Sequence, residues 1–161
     1  MQSATRGAGG GAAGQKLRVL FLCTGNSARS QIAEAFANEL AGDRVQAWSA
    51  GTRPKGMDPR VVRVMAEVGI DVSAQRSKSI DEVRDVPFDL VVTVCDAARE
   101  SCPVFPARAR QVHAGFDDPP RLAATARDEA EALSIYRRIR DELRAFVERL
   151  PAELEGERSG R

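Results

Sequence analysis

The chain has 161 residues, 43% of them hydrophobic and 29% charged, with a formal net charge of +1. That length suits one domain with a sizeable core, and the balanced charge gives no reason to expect nucleic acid or a membrane surface as partner. No apolar run approaches a membrane span. Residues 1–15, dominated by Gly and Ala, carry no hydrophobic segment of a secretory signal and read as a flexible tail. A cytoplasmic, monomeric protein is expected.

The first element is a short apolar run at 17–22, the pattern of a buried parallel strand. It leads into CTGNSARS, where Gly25, Asn26 and Ser27 supply turn chemistry. Ile32, Ala35, Phe36 and Leu40 then recur at helical spacing and define one buried face, closed by Gly42. A second strand is expected at 45–49. Asp58-Pro59 is a helix start, an N-cap followed by proline at the first helical position. Val61, Val62, Met65 and Val68 form its stripe, and Gly69 ends it.

A short helix is expected at 79–84, and a third buried strand at 88–94 runs into Cys95. A weaker fourth strand lies at 110–113. The last helix starts near Asp128 and carries Leu133, Tyr136, Ile139, Leu143, Phe146, Val147 and Leu150 on one side. Pro151 and a charged tail, 152–161, are expected to end it. Alternating strands and helices specify an α/β fold, one domain over 16–151 with a four-stranded parallel sheet covered on both faces.

The chemistry starts at the first strand-to-helix junction. Free N–H groups of a tight loop and a first helical turn form an anion site, and the helix dipole adds positive potential. Cys23 opens this loop and Arg29 closes it after five residues. The field there favours a thiolate at Cys23, and Arg29 offers a planar fork to two oxygens of a tetrahedral dianion. Thr24, Gly25, Asn26, Ser27, Ala28 and Ser30 complete the cradle. Ser30 is placed to hydrogen-bond the thiolate. Asn26 is placed to hold the loop's shape.

The spacing alone is a weak signal; its place between a buried strand and an amphipathic helix makes it strong. On these residues the chain resembles the low-molecular-weight tyrosine phosphatase superfamily, whose members also carry a late Asp-Pro pair as general acid and base. Here FDDPP supplies Asp118-Pro119, with Asp117 as the neighbouring alternative.

Phosphatase chemistry needs one cysteine and then water, yet this chain adds Cys95 and Cys102. As isolated residues they would read as small core side chains. Cys95, however, follows a strand and so falls at the carboxyl edge of the sheet, where ligands bind in open α/β folds and where Cys23 also falls. Ala98, Arg99 and Glu100, leading to Cys102, read as exposed. CTGNSARSQ, WSAG, DLVVTVCDAA, the CP pair and GFDDP occur in this order in thioredoxin-coupled arsenate reductases of the phosphatase fold, and the likeness spans roughly 17–150. The resemblance implies that Cys23 forms an adduct with arsenate, that Cys95 attacks it to release arsenite, and that Cys102 closes a Cys95–Cys102 disulfide for thioredoxin to reduce. The resemblance further implies phosphate and sulfate as substrate analogues and side phosphatase activity, and it implies no metal or organic cofactor.

Other readings remain open at this stage. One is a low-molecular-weight phosphatase whose nucleophile the two further thiols regulate. A phosphoryl carrier would need neither Arg29 nor a general acid. Some relatives bind potassium behind the loop through an Asn, a Glu, a Ser and an Asp. The first three match Asn26, Glu34 and Ser49, but Lys78 stands at the Asp position. An ammonium suits the same oxygens as a monovalent cation, so Lys78 is expected to replace the ion, pairing with Glu34 and steadying Asn26. His113 reads as structural rather than as a base. Trp48 and Tyr136 read as packing groups, and the arginines of 137–144 as a solvated helix face.

Overall fold

A computed structural model describes residues 16–101 and 109–159. Cys102, the flexible tail expected at 1–15 and the last two residues of the charged tail lie outside the described residues.

Four strands form the sheet: β1 (Leu17–Cys23), β2 (Val45–Gly51), β3 (Leu90–Thr93) and β4 (Arg110–His113). Their order is β2-β1-β3-β4 and every pairing is parallel. Consecutive residues of β1 and all of β3 are buried, so both faces of the sheet centre are covered. The helices are α1 (Arg29–Leu40), α2 (Pro59–Glu67), α3 (Asp96–Ser101), α4 (Pro119–Ala123) and α5 (Glu129–Ser159), with a 3-10 turn at Ile80–Val83. α1 packs on β1, β2 and α5, and α2 and α4 also pack on α5. Ile139 and Leu143 of α5 are fully buried, and burying a side chain of this kind stabilises the fold by about 1.5–3 kcal/mol.

Register aligns the chemistry at one edge. Cys23 pairs with Gly51, Leu22 with Thr93, and Thr93 with His113. Because the strands are parallel, their carboxyl ends meet there together with the loops that follow. β2 runs on to Gly51, beyond the expected 45–49. A side chain at Gly51 would meet the Thr24 carbonyl oxygen at 2.6 Å and the Asn26 backbone nitrogen at 3.0 Å. Glycine is required because the loop after β1 lies directly against it.

Four expectations need correction. The last helix passes through Pro151 to Ser159: proline removes one helical hydrogen bond, but the helix formers after it continue the ladder. Leu40 is 39% exposed rather than on the buried face, since it ends its helix. Val64, not Val62, joins Val61 and Met65 in the buried stripe of α2. Arg140 is buried rather than solvated, because its guanidinium donates to the Val64 carbonyl and pairs with Glu67 at 3.0 Å.

One contact ties the far helix to the loop. Asp58 caps α2 by accepting from Arg60 N–H at 2.9 Å, and its other oxygen accepts from the buried Tyr136 hydroxyl at 2.5 Å. The Asp58 N–H in turn donates to the Ser27 carbonyl at 3.1 Å. Tyr136→Phe leaves a capping oxygen without its donor and is expected to lower unfolding free energy by about 1–3 kcal/mol, read from denaturant midpoints at unchanged slope.

Candidate active site

The loop from Thr24 to Ala28 is shaped by where its carbonyls go. Those of Thr24, Gly25 and Ser27 accept from the N–H groups of Arg53, Lys55 and Asp58 at 2.9–3.1 Å. In a trans peptide the N–H points opposite to its carbonyl. Turning these carbonyls outward therefore directs the N–H groups of Gly25, Asn26 and Ala28 inward. The Gly25 N–H reaches the Cys23 sulfur. No side chain caps α1 at Ala28, which leaves its first turn free for a ligand.

Asn26 holds the turn in the left-handed region, φ 46°, a conformation that asparagine tolerates better than most residues. Its Nδ2 donates to Ser30 Oγ at 2.8 Å and its Oδ1 accepts from the Lys78 N–H at 2.8 Å. Gln31 was not legible as a site residue, since its place in the helix is unremarkable. Fully buried beneath the loop, its Nε2 donates to the Asn26 carbonyl at 3.0 Å and to the Arg76 carbonyl at 3.1 Å. Gln75 holds it from below, donating to Gln31 Oε1 at 2.7 Å. Ser30 thus bonds Asn26 in this structure; the contact that the sequence suggested for it was with the thiolate.

Glu34 lies under the same loop. It accepts from Ser49 Oγ at 2.5 Å, with Lys78 Nζ 3.9 Å from the same carboxylate oxygen. Lys78 reaches Asn26 through its backbone N–H, while its ammonium donates to the Arg76 carbonyl at 3.2 Å. Burial pushes the Glu34 carboxyl above its ordinary value, offset by Ser49 and Lys78, and burial pushes Lys78 down.

Arg29 lies across the mouth. Its Nη1 donates to the Phe116 carbonyl at 2.9 Å, and its Nη2 is 3.5 Å from Asp118. Its Nε is buried without a protein acceptor, so one N–H of the fork is left for a ligand oxygen. Asp118 stands at the N-cap of α4 with no capping bond of its own. The neighbouring carboxylate separates from it, for Asp117 pairs with Arg138 at 3.2 Å. Cys23, Arg29, Asp118, Cys95 and the basic side chains Arg53, Lys55 and Arg121 line one open cavity of about 930 Å³.

Cys23 and Cys95, both buried and unbridged, are brought into hydrogen-bonding contact. Cys95 also contacts Thr24 Oγ1 and the Ala98 N–H, each at 3.4 Å. The pair titrates as a unit. The hydrogen bond from Cys23 holds Cys95 down to about 5, whereas donating that bond, with burial, pushes Cys23 up against the pull of Arg29. The two thiols thus compete for one negative charge, which their hydrogen bond draws toward Cys95 and which Arg29 and the Gly25 N–H draw toward Cys23. Ala98 is buried rather than exposed, since its N–H faces this sulfur. Among the described residues no group of three or more His, Cys, Asp or Glu side chains is placed to hold a metal. No helix among them is long and apolar enough to cross a membrane.

A parallel four-stranded sheet with a Cys-x5-Arg cradle after its first strand defines the class. The sequence profile of the low molecular weight phosphotyrosine protein phosphatase family matches residues 18–159, and the chain belongs to that family. Within it, the chain is 45% identical to an arsenate reductase of Bacillus subtilis over 125 residues, 78% of this chain and 88% of that protein. The crystal structure of an arsenate reductase from Archaeoglobus fulgidus is similar at 33% identity and TM-score 0.65, over 83% of this chain and 98% of that one. An arsenate reductase in a phosphate-binding state matches at 28% identity and TM-score 0.68, over 85% and 98%.

Three outcomes follow from these contacts. Cys23→Ala removes the hydrogen bond that favours the Cys95 thiolate, so ultraviolet thiolate titration should show the midpoint near 5 move up to the ordinary thiol range or above. Lys78→Ala strands the Glu34 carboxylate and should cost about 1–3 kcal/mol at neutral pH. The Glu34 folded-state pKa is raised, so the penalty on its charge is present above that pKa and fades as pH falls through it. The Lys78→Ala defect should therefore shrink on acidification. Wild-type melting should show no preference for potassium over sodium at equal ionic strength.

Proposed function

We propose that this chain is a cytoplasmic arsenate reductase working by a three-cysteine relay, with thioredoxin as the external dithiol. The observation that carries the reading is the contact between Cys23 and Cys95 at the floor of an oxyanion cradle. A hydrolytic phosphatase needs one sulfur there; two-electron reduction needs a second within reach of the first. The similarity to arsenate reductases supports it independently.

The dianion enters against the inward N–H groups and displaces Asp118 from Arg29, whose fork takes two of its oxygens. Moving the shared proton from Cys23 to Cys95 makes Cys23 the nucleophile. It bonds to arsenic as one oxygen departs as water, protonated by Asp118. Cys95 passes its proton to an oxygen of the bound arsenic group and, as the thiolate that Thr24 and Ala98 favour, attacks the Cys23 sulfur. An S–S bond forms, the S–As bond breaks, and its electron pair leaves with arsenic as arsenite. Cys102 attacks Cys95, expels the Cys23 thiolate and leaves a Cys95–Cys102 disulfide for thioredoxin. The thiols supply both electrons, so this sequence uses no metal or organic cofactor. A reducing compartment suits three thiols that must start reduced, and the reaction requires only one copy of the chain.

A low-molecular-weight phosphatase with a redox-regulated nucleophile is the second reading, favoured by Asp118, which makes no capping bond and pairs with Arg29 at the mouth of the cradle. In that reading water attacks the phosphocysteine and the further cysteines regulate Cys23. Steady-state turnover decides between them. Wild type should oxidise one thioredoxin per arsenite released, Cys23→Ala should do neither, and Cys102→Ser should stop after one turnover. A phosphatase that survives Cys102→Ser with no arsenite formed would replace the reductase reading.

A further inference from the structure

The only histidine of the chain brackets Cys95. His113, at the carboxyl end of β4, places Nδ1 2.8 Å from Thr93 Oγ1 and Nε2 3.0 Å from Asp96 Oδ1. Thr93 lies two residues before Cys95 and Asp96 one residue after it. A carboxylate only accepts, so Nε2 carries a proton toward Asp96, while Nδ1 and the Thr93 hydroxyl share the other hydrogen bond. Gly115 leaves room for the ring, since a Cβ there would lie 3.2 Å from Nε2.

The two arms differ in what holds them. Thr93 is buried and paired within the sheet, with Val92 and Thr93 in register against Val112 and His113. The Asp96 side chain is 83% exposed and begins the six-residue helix α3. Between these arms Cys95 is aimed at Cys23, with the Ala98 N–H of the first turn of α3 on its sulfur.

We propose that His113 is a positioning residue for Cys95, an imidazole clamp that holds the thiol against Cys23 and must release Asp96 before the next exchange. The proposal rests on the relay reading. Residues seven apart in a helix are separated by roughly 10 Å along its axis, whereas a disulfide needs Cα atoms about 4.4–6.8 Å apart. A sulfur seven residues beyond Cys95 cannot bond to it while the intervening residues stay helical, so α3 must open after the first exchange. Opening breaks the exposed Asp96 arm and leaves the Thr93 arm in the sheet. The clamp thus favours the first sulfur exchange and opposes the second.

The test follows both exchanges in a single turnover with arsenate and no external dithiol. Arsenite release times the first; quenching, alkylation and mass spectrometry give the lifetime of the Cys23–Cys95 disulfide. Asp96→Ala removes only the exposed arm and leaves the ring and the sheet intact. It should slow arsenite release about threefold to tenfold, the worth of one net hydrogen bond, and shorten the intermediate's lifetime by a similar factor. His113→Phe should shift both in the same directions. A variant that merely loosens the fold slows both exchanges, and that pattern, or unchanged rates in Asp96→Ala, overturns the clamp. Wild type that forms no Cys23–Cys95 intermediate overturns the relay, and the clamp with it.

Discussion

The structure depends on the outward turn of three loop carbonyls. Those of Thr24, Gly25 and Ser27 are taken by backbone donors of the segment between β2 and α2, and only that fixes the N–H groups on the inner side. An anion cradle built from backbone is insensitive to side-chain identity at most of its positions but sensitive to peptide orientation. The residues beneath it serve that orientation: Asn26 in the left-handed region, Gln31 on its carbonyl, and Gly51 giving the loop room. From the far side, Tyr136 and Asp58 extend the same support to α5.

A second constraint is charge. A buried thiol pair shares one negative charge more readily than it bears two, since the second would lie against the first in a poorly solvated site. The hydrogen bond from Cys23 and the donors Thr24 and Ala98 draw that charge toward Cys95, against the pull of Arg29 and the Gly25 N–H on Cys23. Arg29 is likewise engaged, by Asp118 and the Phe116 carbonyl. Among the described residues, Arg29 Nε is the buried side-chain donor without a partner, and it stands with the inward backbone N–H groups of the loop. An incoming dianion meets these donors while displacing Asp118 from Arg29, which suits selection for tetrahedral anions that offer several acceptors at once.

Beneath the loop, the Lys78 ammonium lies beside a carboxylate that Ser49 also bonds. A covalently attached cation there is always present and costs no binding entropy.

The sequence by itself determined the parallel α/β sheet, because continuous apolar runs alternating with amphipathic stretches admit few other arrangements. It determined the cradle as well, through Cys23 and Arg29 at a strand-to-helix junction, and it placed Cys95 at the same sheet edge. These are local signals, carried by spacing and by neighbours in the chain. Tertiary structure supplied the physical separation between Asp118, which the sequence favoured by its proline, and Asp117: Arg138 of a distant helix holds Asp117 while Arg29 holds Asp118. It coupled the titration of Cys95 to that of Cys23, because a hydrogen bond links residues 72 positions apart. It also revealed Gln31, buried Arg140 and the two arms of His113, all polar groups whose partners lie on other elements. Apolar burial leaves a periodic trace in sequence, whereas a long-range hydrogen bond leaves none, because its partner is chosen by how the elements pack.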